Sequence, residues 1–400
     1  MKNITSINDL AINGAPPAFS VPLHVGRPNV GNRDALMMRI NEMLDRLWLS
    51  NHGPFVDEFE RKVTELLGVK HCVAMCNGTI ALEIAIRALG LKGEVIVPSF
   101  TFIATAHALQ WQEITPVFAD IDPKTHNLDP VSVEKMITPR TTGIMGVHLW
   151  GRPSDTVGLQ AVAVKHGLKL MYDASHAFDC SHGGKMIGNF GECEVFSFHA
   201  TKFFNTFEGG AVVTNNDELA KKMRLMKNFG FSGYDNVIYI GTNGKMTEVS
   251  AAMGLTGLES LDEFVKINRR NYHAYQKALR DVPGLSLIHY DESERCNFQY
   301  IILEVAPEFP LKRDELIQVL HAENILARKY FWPGCHNMQP YRDYYPHTGL
   351  MLPNTDAIAK RVLVLPTGTA VEPQTIDKVV EIIRRATMNA SEIRNALGKK

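Results

Sequence analysis

A lysine and an aspartate each follow an apolar segment of the chain, and together they could carry amine chemistry. Asp173 ends the segment LKLMYD, and Lys202 lies a few residues beyond the segment CEVFSFH. An amine in a dry site can form a Schiff base with an aldehyde and then move protons. A carboxylate that emerges from an apolar strand needs a cationic partner. Each residue also has an ordinary interpretation, Asp173 as a helix cap or turn residue and Lys202 as a solvated surface charge.

Two further segments could hold an anion and a flat ring. The segment CNGTI, from Cys76 to Ile80, joins an apolar strand to the start of a helix, where free backbone amides and the helix dipole favour a phosphate. It is equally compatible with a simple turn followed by a threonine cap. Phe102, in PSFTFIATA, follows another strand and could cover an aromatic ring, although packing in the core is the commoner role of a phenylalanine.

Other catalytic and metal-binding motifs are missing from the sequence. The Gly244-Lys245 pair lacks the flanking glycine and hydroxyl residue of a phosphate-binding P-loop. No G-x-G-x-x-G follows a strand, and there is no G-x-S-x-G. Cys72 and Cys76 have no second pair at zinc-type spacing, so we expect no metal site.

The elements that must position these residues alternate between short apolar runs and helical patterns, which predicts a mostly parallel sheet in an α/β domain. Reactive residues should then lie on loops at the carboxyl ends of the strands. The predicted strands are HCVAM, GEVIVPS, TPVFADI, TTGIMGVHLW, LKLMYD, CEVFSFH and GGAVVTN.

The pattern changes after Thr214 and predicts a second, smaller domain. A helical stretch from Thr247 to Asp281 is long enough to connect two domains, and strands LSLIHYD, FQYIILEV and NILARKY follow, with helices near 311–322 and 374–388. We therefore expect an N-terminal arm over residues 1–30, a large domain over 31–260 and an α+β domain over 261–400.

Composition excludes several classes of protein. The 400 residues hold 42 Lys plus Arg and 43 Asp plus Glu, a net charge of −1, so no global field favours nucleic acid or acidic membranes. No apolar run is long enough for a membrane helix, and the N-terminus has no secretory pattern. Six scattered cysteines do not form a disulfide framework, so a reducing cytoplasm is expected.

Taken together, the lysine, the carboxylate, the helix start and the aromatic ring are what pyridoxal phosphate requires. The sequence resembles the DegT/StrS-type sugar aminotransferases, which have the fold type I architecture of the aspartate aminotransferases. The resemblance covers nearly the whole chain, including a seven-stranded large-domain sheet. It is carried by NGTIALEIAIRALG, VPSFTFIATA, DASHAFDC, FSFHATKFFNTFEGGAVVT and GTNGKMTEVSAA.

The resemblance implies a role for each matching position. Lys202 matches the lysine that holds the cofactor aldehyde, and Asp173 matches the partner of the pyridine nitrogen. Of the remaining cofactor positions, His176 matches the contact to the ring hydroxyl, Phe102 matches the aromatic residue that stacks on the ring, and the phosphate-binding positions are Gly78, Thr79, Ile80 and Ser197. Asn243 matches a residue that reaches the phosphate in the neighbouring subunit. This match implies a homodimer with shared active sites. Substrate contacts are expected from Glu208, Arg328, Tyr330 and His336, and each of these could equally be structural.

The function that the resemblance implies is amino transfer from L-glutamate to carbon 4 of a nucleotide-linked 4-keto-6-deoxy sugar. The spacer FFNTFEGG after Lys202 resembles members that act on carbon 4, with dTDP-4-keto-6-deoxy-D-glucose as the expected acceptor. The same scaffold also serves carbon-3 aminotransferases, and relatives with histidine in place of the lysine are dehydratases. A regulatory protein that keeps the fold is the alternative outside enzymes.

Overall fold

The structure is a computed structural model that describes residues 2–398. We number its elements in chain order. The strands are β1 (Leu23–His24), β2 (His71–Met75), β3 (Glu94–Pro98), β4 (Thr115–Ala119), β5 (Thr141–Val147), β6 (Lys169–Asp173), β7 (Ser181–His182), β8 (Lys185–Met186), β9 (Glu194–Ser197), β10 (Gly210–Thr214), β11 (Leu285–Leu287), β12 (Ile301–Val305), β13 (Ile325–Leu326) and β14 (Val362–Leu365).

Helices cover both faces of the large sheet and pack on the smaller one. They are α1 (Arg33–Arg46), α2 (Pro54–Leu67), α3 (Gly78–Ala88), α4 (Ala104–Gln110), α5 (Pro130–Lys135), α6 (Thr156–His166), α7 (Asp217–Met226), α8 (Glu248–Glu259), α9 (Leu261–Leu279), α10 (Arg313–Ala322), α11 (Tyr341–Tyr344), α12 (Pro353–Ala359), α13 (Pro373–Met388) and α14 (Ala390–Leu397). Among the helices within residues 2–398, none combines the length and the apolar character that a bilayer crossing requires.

The seven strands predicted for the large domain form one sheet, in the order β2-β10-β9-β6-β5-β3-β4. Every pairing is parallel except those of β10, which runs antiparallel to both β2 and β9. The α/β fold with a mostly parallel seven-stranded sheet is therefore confirmed.

Alternation along β2 shows why the strands are apolar throughout. Cys72 and Ala74 pack against α2 and α8 on one face, whereas Val73 and Met75 pack against α3 and α7 on the other. A strand with helices on both sides buries both sets of side chains, so its sequence is a continuous apolar run.

The C-terminal region forms a three-stranded antiparallel sheet, β11-β12-β14, whose core includes residues of α9, α10 and α13. The predicted stretch from Thr247 to Asp281 is two helices, α8 and α9, which meet at Ser260. That residue lies at the predicted boundary between the domains.

The N-terminal arm packs on this C-terminal core. Leu10 and Phe19 are buried in it, and the carboxylate of Glu323 accepts hydrogen bonds from the backbone N–H groups of Ala11 and Ala18, at 2.6 and 2.7 Å. Strand β1 pairs in parallel with β13, and further along the arm the side chain of Asn29 donates to the carbonyl oxygen of Phe203 at 2.8 Å.

Candidate active site

A pocket of about 410 Å³ lies at the carboxyl ends of the parallel strands. Both Lys202 and Asp173 line it, so the two residues that the sequence singled out share one cavity. The lining residues are Asn77, Gly78, Thr79, Leu82, Thr101, Phe102, Ala104, Val147, Asp173, Ser175, His176, Ser197, His199, Thr201, Lys202, Glu208, Tyr300, Arg328, Tyr330 and Phe331.

Lys202 is carried by a loop that is closed at its base. The N–H of Phe198, which follows β9, donates to the carbonyl of Gly209 at 2.8 Å, and the N–H of Thr206 donates to the carbonyl of Phe198 at 2.9 Å. Burial in the pocket lowers the pKa of Lys202 to about 8, and the charge of Asp173 acts in the opposite direction. At pH 7 about a tenth of the amine is therefore unprotonated, far more than for a lysine in water.

Asp173 ends β6, and its carboxylate is fixed by two donors. The hydroxyl of Thr105 in α4 donates to Oδ2 at 2.8 Å, and the N–H of Ser175 donates to Oδ1 at 3.1 Å. Asp173 is only 4% exposed. A buried carboxylate with these donors is suited to face a cationic group in the pocket.

His176 is neutral, and its geometry fixes which ring nitrogen carries the proton. The backbone N–H of Trp150 donates to His176 Nδ1 at 3.1 Å, so Nδ1 is an acceptor and the proton is on Nε2. Burial and the nearby Lys202 hold the pKa of His176 well below its usual value. Trp150 makes this bond from a left-handed conformation, φ +57°, which is strained for a bulky residue.

The start of α3 forms the anion-binding end of the pocket. Gly78 and Thr79 are its first two residues, so their N–H groups have no acceptor within the helix. Two glycines allow this close packing, because a Cβ at Gly210 would lie 2.6 Å from the backbone nitrogen of Gly78, and a Cβ at Gly78 would lie 2.9 Å from Cβ of Ser197.

Ile80 differs from the expectation. Its N–H donates to the side chain of Asn77 at 2.8 Å, which caps α3, and Ile80 does not line the pocket. The helix cap therefore already uses the amide that the sequence assigned to an anion, so the structure does not support Ile80 in that role and leaves the N–H groups of Gly78 and Thr79 at the start of α3.

An aromatic group borders the other side of the pocket. Phe102 lines the cavity and is 56% exposed, so its ring is accessible. The ring of Phe331 stacks on that of His176, with centroids 5.8 Å apart and the planes 5° from parallel. Phe331 is a residue that sequence reasoning missed.

Three of the four expected substrate contacts line the pocket. Glu208 lies at its rim with Oε1 3.4 Å from His199 Nε2, and the guanidinium of Arg328 lies over the ring of Tyr330, 5.1 Å from its centroid. Both Glu208 and Arg328 are accessible to a substrate that enters the pocket.

His336 is placed elsewhere, and the expected substrate contact is corrected. Its Nδ1 lies 2.6 Å from Oγ of Ser99, its Nε2 lies 3.1 Å from the carboxylate of Asp356, and the residue is only 3% exposed. His336 thus ties the segment after Phe331 to the end of β3 instead of lining the cavity.

Asn243 also lies outside the pocket of its own chain. It forms a bridge with Asn228, and the next residue, Gly244, accepts a hydrogen bond from the N–H of Cys76 at 2.9 Å. This placement leaves the predicted contact with a neighbouring subunit as a prediction.

The pocket residues fit the group that the sequence suggested. A cation, a buried carboxylate, an open aromatic face and free amides at a helix start surround one cavity, as pyridoxal phosphate requires. Among residues 2–398, no group of three or more His, Cys, Asp or Glu residues is placed to hold a metal ion.

Comparison with known proteins points to the same chemistry. Residues 32–384 match the DegT/DnrJ/EryC1/StrS aminotransferase family. The chain is 40% identical to the dTDP-4-amino-4,6-dideoxy-D-glucose transaminase of Shigella dysenteriae over 363 residues, 91% of this chain and 98% of that protein. It is 36% identical to the GDP-perosamine synthase of Caulobacter vibrioides, over 85% of this chain and 92% of that protein.

The similarity extends to three dimensions. The crystal structure of DesI in the presence of its TDP-sugar product superimposes with a TM-score of 0.94 at 48% identity, covering 99% of this chain and 100% of that one. The crystal structure of S. venezuelae DesV in complex with a ketimine intermediate has a TM-score of 0.82 at 31% identity, over 89% and 95% of the two chains.

Proposed function

We propose, because the chain belongs to the DegT/DnrJ/EryC1/StrS aminotransferase family, that it transfers the amino group of L-glutamate to a nucleotide-linked keto sugar. The proposed acceptor is dTDP-4-keto-6-deoxy-D-glucose, and the product is dTDP-4-amino-4,6-dideoxy-D-glucose. The name of a relative that matches 91% of this chain states that activity. The observation on which the proposal rests is that Lys202 and Asp173 line one pocket with the start of α3.

Pyridoxal phosphate is the proposed cofactor, and the pocket offers a partner for each part of it. The amides of Gly78 and Thr79 and the hydroxyl of Ser197 would bind the phosphate, and Phe102 would cover one face of the ring. Asp173 would hold the pyridine nitrogen in its protonated form. When bound, the cofactor supplies an electron sink that stabilises negative charge on the carbon that loses or gains a proton.

Lys202 is the proposed acid and base. Its amine removes the proton from the α-carbon of glutamate in the first half-reaction and delivers protons in reverse order in the second. A pKa of about 8 suits both directions, because efficient proton transfer needs a group whose pKa lies near the working pH. Because this chain keeps the lysine that the dehydratases replace by histidine, we propose amino transfer and not dehydration.

His176 is the proposed donor to the ring hydroxyl of the cofactor. Because Trp150 occupies Nδ1, the Nε2–H is the group available to the pocket. A neutral histidine donates this bond without adding a positive charge next to Lys202.

Glu208, Arg328 and Tyr330 are the proposed substrate contacts. A carboxylate such as Glu208 accepts hydrogen bonds from sugar hydroxyls, and the guanidinium of Arg328 suits a carboxylate or a diphosphate. Tyr330 holds Arg328 through its ring face.

A homodimer with shared active sites is the proposed assembly. Large apolar side chains are exposed together on α1 and its C-terminal end, and others on the loop before Asn243. They are Met37, Met38, Leu44, Leu47, Trp48, Leu49, Phe229, Phe231, Val237, Ile238 and Ile240. Light scattering should give twice the chain mass at micromolar concentration, and a stable monomer that binds the cofactor normally would contradict this assembly.

A cytoplasmic location is part of the same proposal. All six cysteines lie among the described residues and are free, which suits a reducing compartment.

The function is tested by separating the two half-reactions. Addition of L-glutamate to the protein loaded with pyridoxal phosphate should change its visible absorbance, and NMR should identify a 4-amino sugar after the dTDP-linked 4-keto sugar is added. Parallel incubations with a 3-keto sugar and with a GDP-linked 4-keto sugar separate the alternative acceptors. Lys202→Ala should fold and give no product, and normal turnover in that variant would reject the assignment.

A further inference from the structure

One segment of the C-terminal region contacts both loops that carry the principal site residues. It comprises residues 297–300 and leads directly into β12. Asn297 and Gln299 are buried, at 0% and 8% exposure, and they lie outside the pocket lining.

Asn297 holds the loop that contains His176. Its side-chain Nδ2 donates to the carbonyl oxygens of His176 and Phe178, each at 2.9 Å, and its Oδ1 accepts from the N–H of Gln299 at 3.0 Å. Both donors of the Asn297 amide are therefore bonded to the loop that contains His176, and its acceptor oxygen orients Gln299.

Gln299 holds the loop that contains Lys202. Its Oε1 accepts from the backbone N–H of Phe203, the residue directly after the lysine, at 3.0 Å. The carbonyl of Phe203 accepts from the side chain of Asn29 in the N-terminal arm at 2.8 Å. The peptide groups on either side of Phe203 are thus bonded by two remote segments.

Between these two amides, Tyr300 reaches the site itself. Its ring packs edge-on against His176, with centroids 5.0 Å apart, and it lines the pocket. The segment therefore bonds to both loops through Asn297 and Gln299 and lines the cavity through Tyr300.

We propose that Asn297 and Gln299 are positioning residues for the reaction, because they hold the peptide groups at His176 and next to Lys202 and so set the separation of these two residues across the pocket. This inference rests on the proposed function. Its physical basis is that buried carbonyl and N–H groups keep their partners, so movement of one loop against the other would break bonds that water cannot replace. A displacement of about 1 Å at a reacting group can reduce a rate about 100-fold.

The test uses near-isosteric replacements that remove the hydrogen bonds. Asn297→Leu removes both donors to the His176 loop, and Gln299→Met removes the acceptor for Phe203. Asn189→Leu is the matched control, since the Asn189 amide also donates to two carbonyls, those of Leu67 and Met186, on the large domain away from the pocket. Three quantities are measured on the full-length chain: the urea midpoint of the cofactor-free protein, the Kd for pyridoxal phosphate, and the pH midpoint of its capture by Lys202.

We expect Asn297→Leu and Gln299→Met to weaken the affinity for pyridoxal phosphate at least tenfold and to shift the pH midpoint of capture. The control should lower the urea midpoint to a similar degree and change neither of the other quantities. The proposal is overturned when the two variants bind the cofactor as the control does. Gln299→Met removes one bond only, so it decides the question where Asn297→Leu does not fold.

The same experiment separates this inference from the proposed function. Wild-type protein that fails to capture pyridoxal phosphate at Lys202 would reject the function itself. Wild-type capture with unchanged variants would reject the positioning role alone.

Discussion

Replacing Asp173 by asparagine should change the ionisation of Lys202 in a direction that the structure specifies. Burial lowers the pKa of Lys202 from 10.5 to about 8, and the charge of Asp173 limits that decrease. Removal of the charge should lower the pKa further. Since only the unprotonated amine attacks an aldehyde, the variant should capture pyridoxal phosphate faster than wild type at pH 7.

The magnitude follows from the same pKa. At pH 7.5 about a quarter of the Lys202 amines are unprotonated in wild type, against about one in a thousand for a lysine of pKa 10.5. Capture by wild-type Lys202 should therefore exceed that of an ordinary lysine of equal reactivity by roughly 200-fold. In Asp173→Asn the unprotonated fraction is larger, while the equilibrium affinity falls because the pyridine nitrogen loses its carboxylate.

Stopped-flow absorbance of cofactor-free protein mixed with pyridoxal phosphate, from about pH 6 to about pH 10, measures the rate of capture. Nα-acetyl-lysine in the same buffers corrects for the ionisation of the cofactor, and Lys202→Ala reports capture at other lysines. The reasoning is refuted if the wild-type midpoint lies near pH 10, or if the midpoint of Asp173→Asn moves upward.

Three further predictions concern two groups at the site and one buried ion pair. Thr105→Val removes the hydroxyl that donates to Asp173, and because a hydrogen bond to a charged group contributes about 1.5–3 kcal/mol, the free energy of unfolding should fall by about that amount in urea titrations. Gly210→Ala places a methyl group against the start of α3 and should raise the Kd for pyridoxal phosphate at least tenfold in an absorbance titration. Glu60→Gln leaves the ammonium of Lys227, which is 1% exposed, without its carboxylate and should lower the free energy of unfolding at pH 7 by about 3–5 kcal/mol in urea titrations. Burial lowers the pKa of Lys227, so the unfolded chain binds its proton more tightly and part of this loss should return as the pH rises towards 10.

Each of these predictions has a clear contrary result, which for Thr105→Val is an unchanged free energy of unfolding. Gly398→Ala serves as a control for added volume, because the nearest atom would lie 3.4 Å from its Cβ, and it should leave cofactor affinity unchanged. Equal affinities in Gly210→Ala and Gly398→Ala would mean that the start of α3 does not bind the phosphate. A loss in Glu60→Gln that does not change with pH would mean that Lys227 is not the group left unpaired.

The large domain was predictable because its pattern is local. Strands with both faces buried are continuous apolar runs, so the seven segments were recognisable from composition and length. The position of β10 as an antiparallel strand between β2 and β9 was not, since nothing within GGAVVTN specifies its neighbours. The predicted strand NILARKY is reduced to Ile325–Leu326, which pairs with β1 about 300 residues away along the chain.

The site was predictable where motifs lie at strand ends and not where contacts join remote segments. Lys202 and Asp173 were identified from their positions after apolar strands. Thr105, Asn297 and Gln299 gave no signal, because hydrogen bonds to residues far along the chain define what they do. For His336 the neighbouring sequence was misleading, since its ring turns towards Ser99 and away from the cavity.

The order of synthesis gives the N-terminal arm a further significance. Leu10 and Phe19 leave the ribosome well before the core that buries them is complete, because that core includes α10, which is made roughly 300 residues later. At about 5–20 residues per second that interval is about 15–60 s. Until α10 has been made, these side chains lack most of their native partners, so a nascent-chain chaperone can bind them throughout this interval.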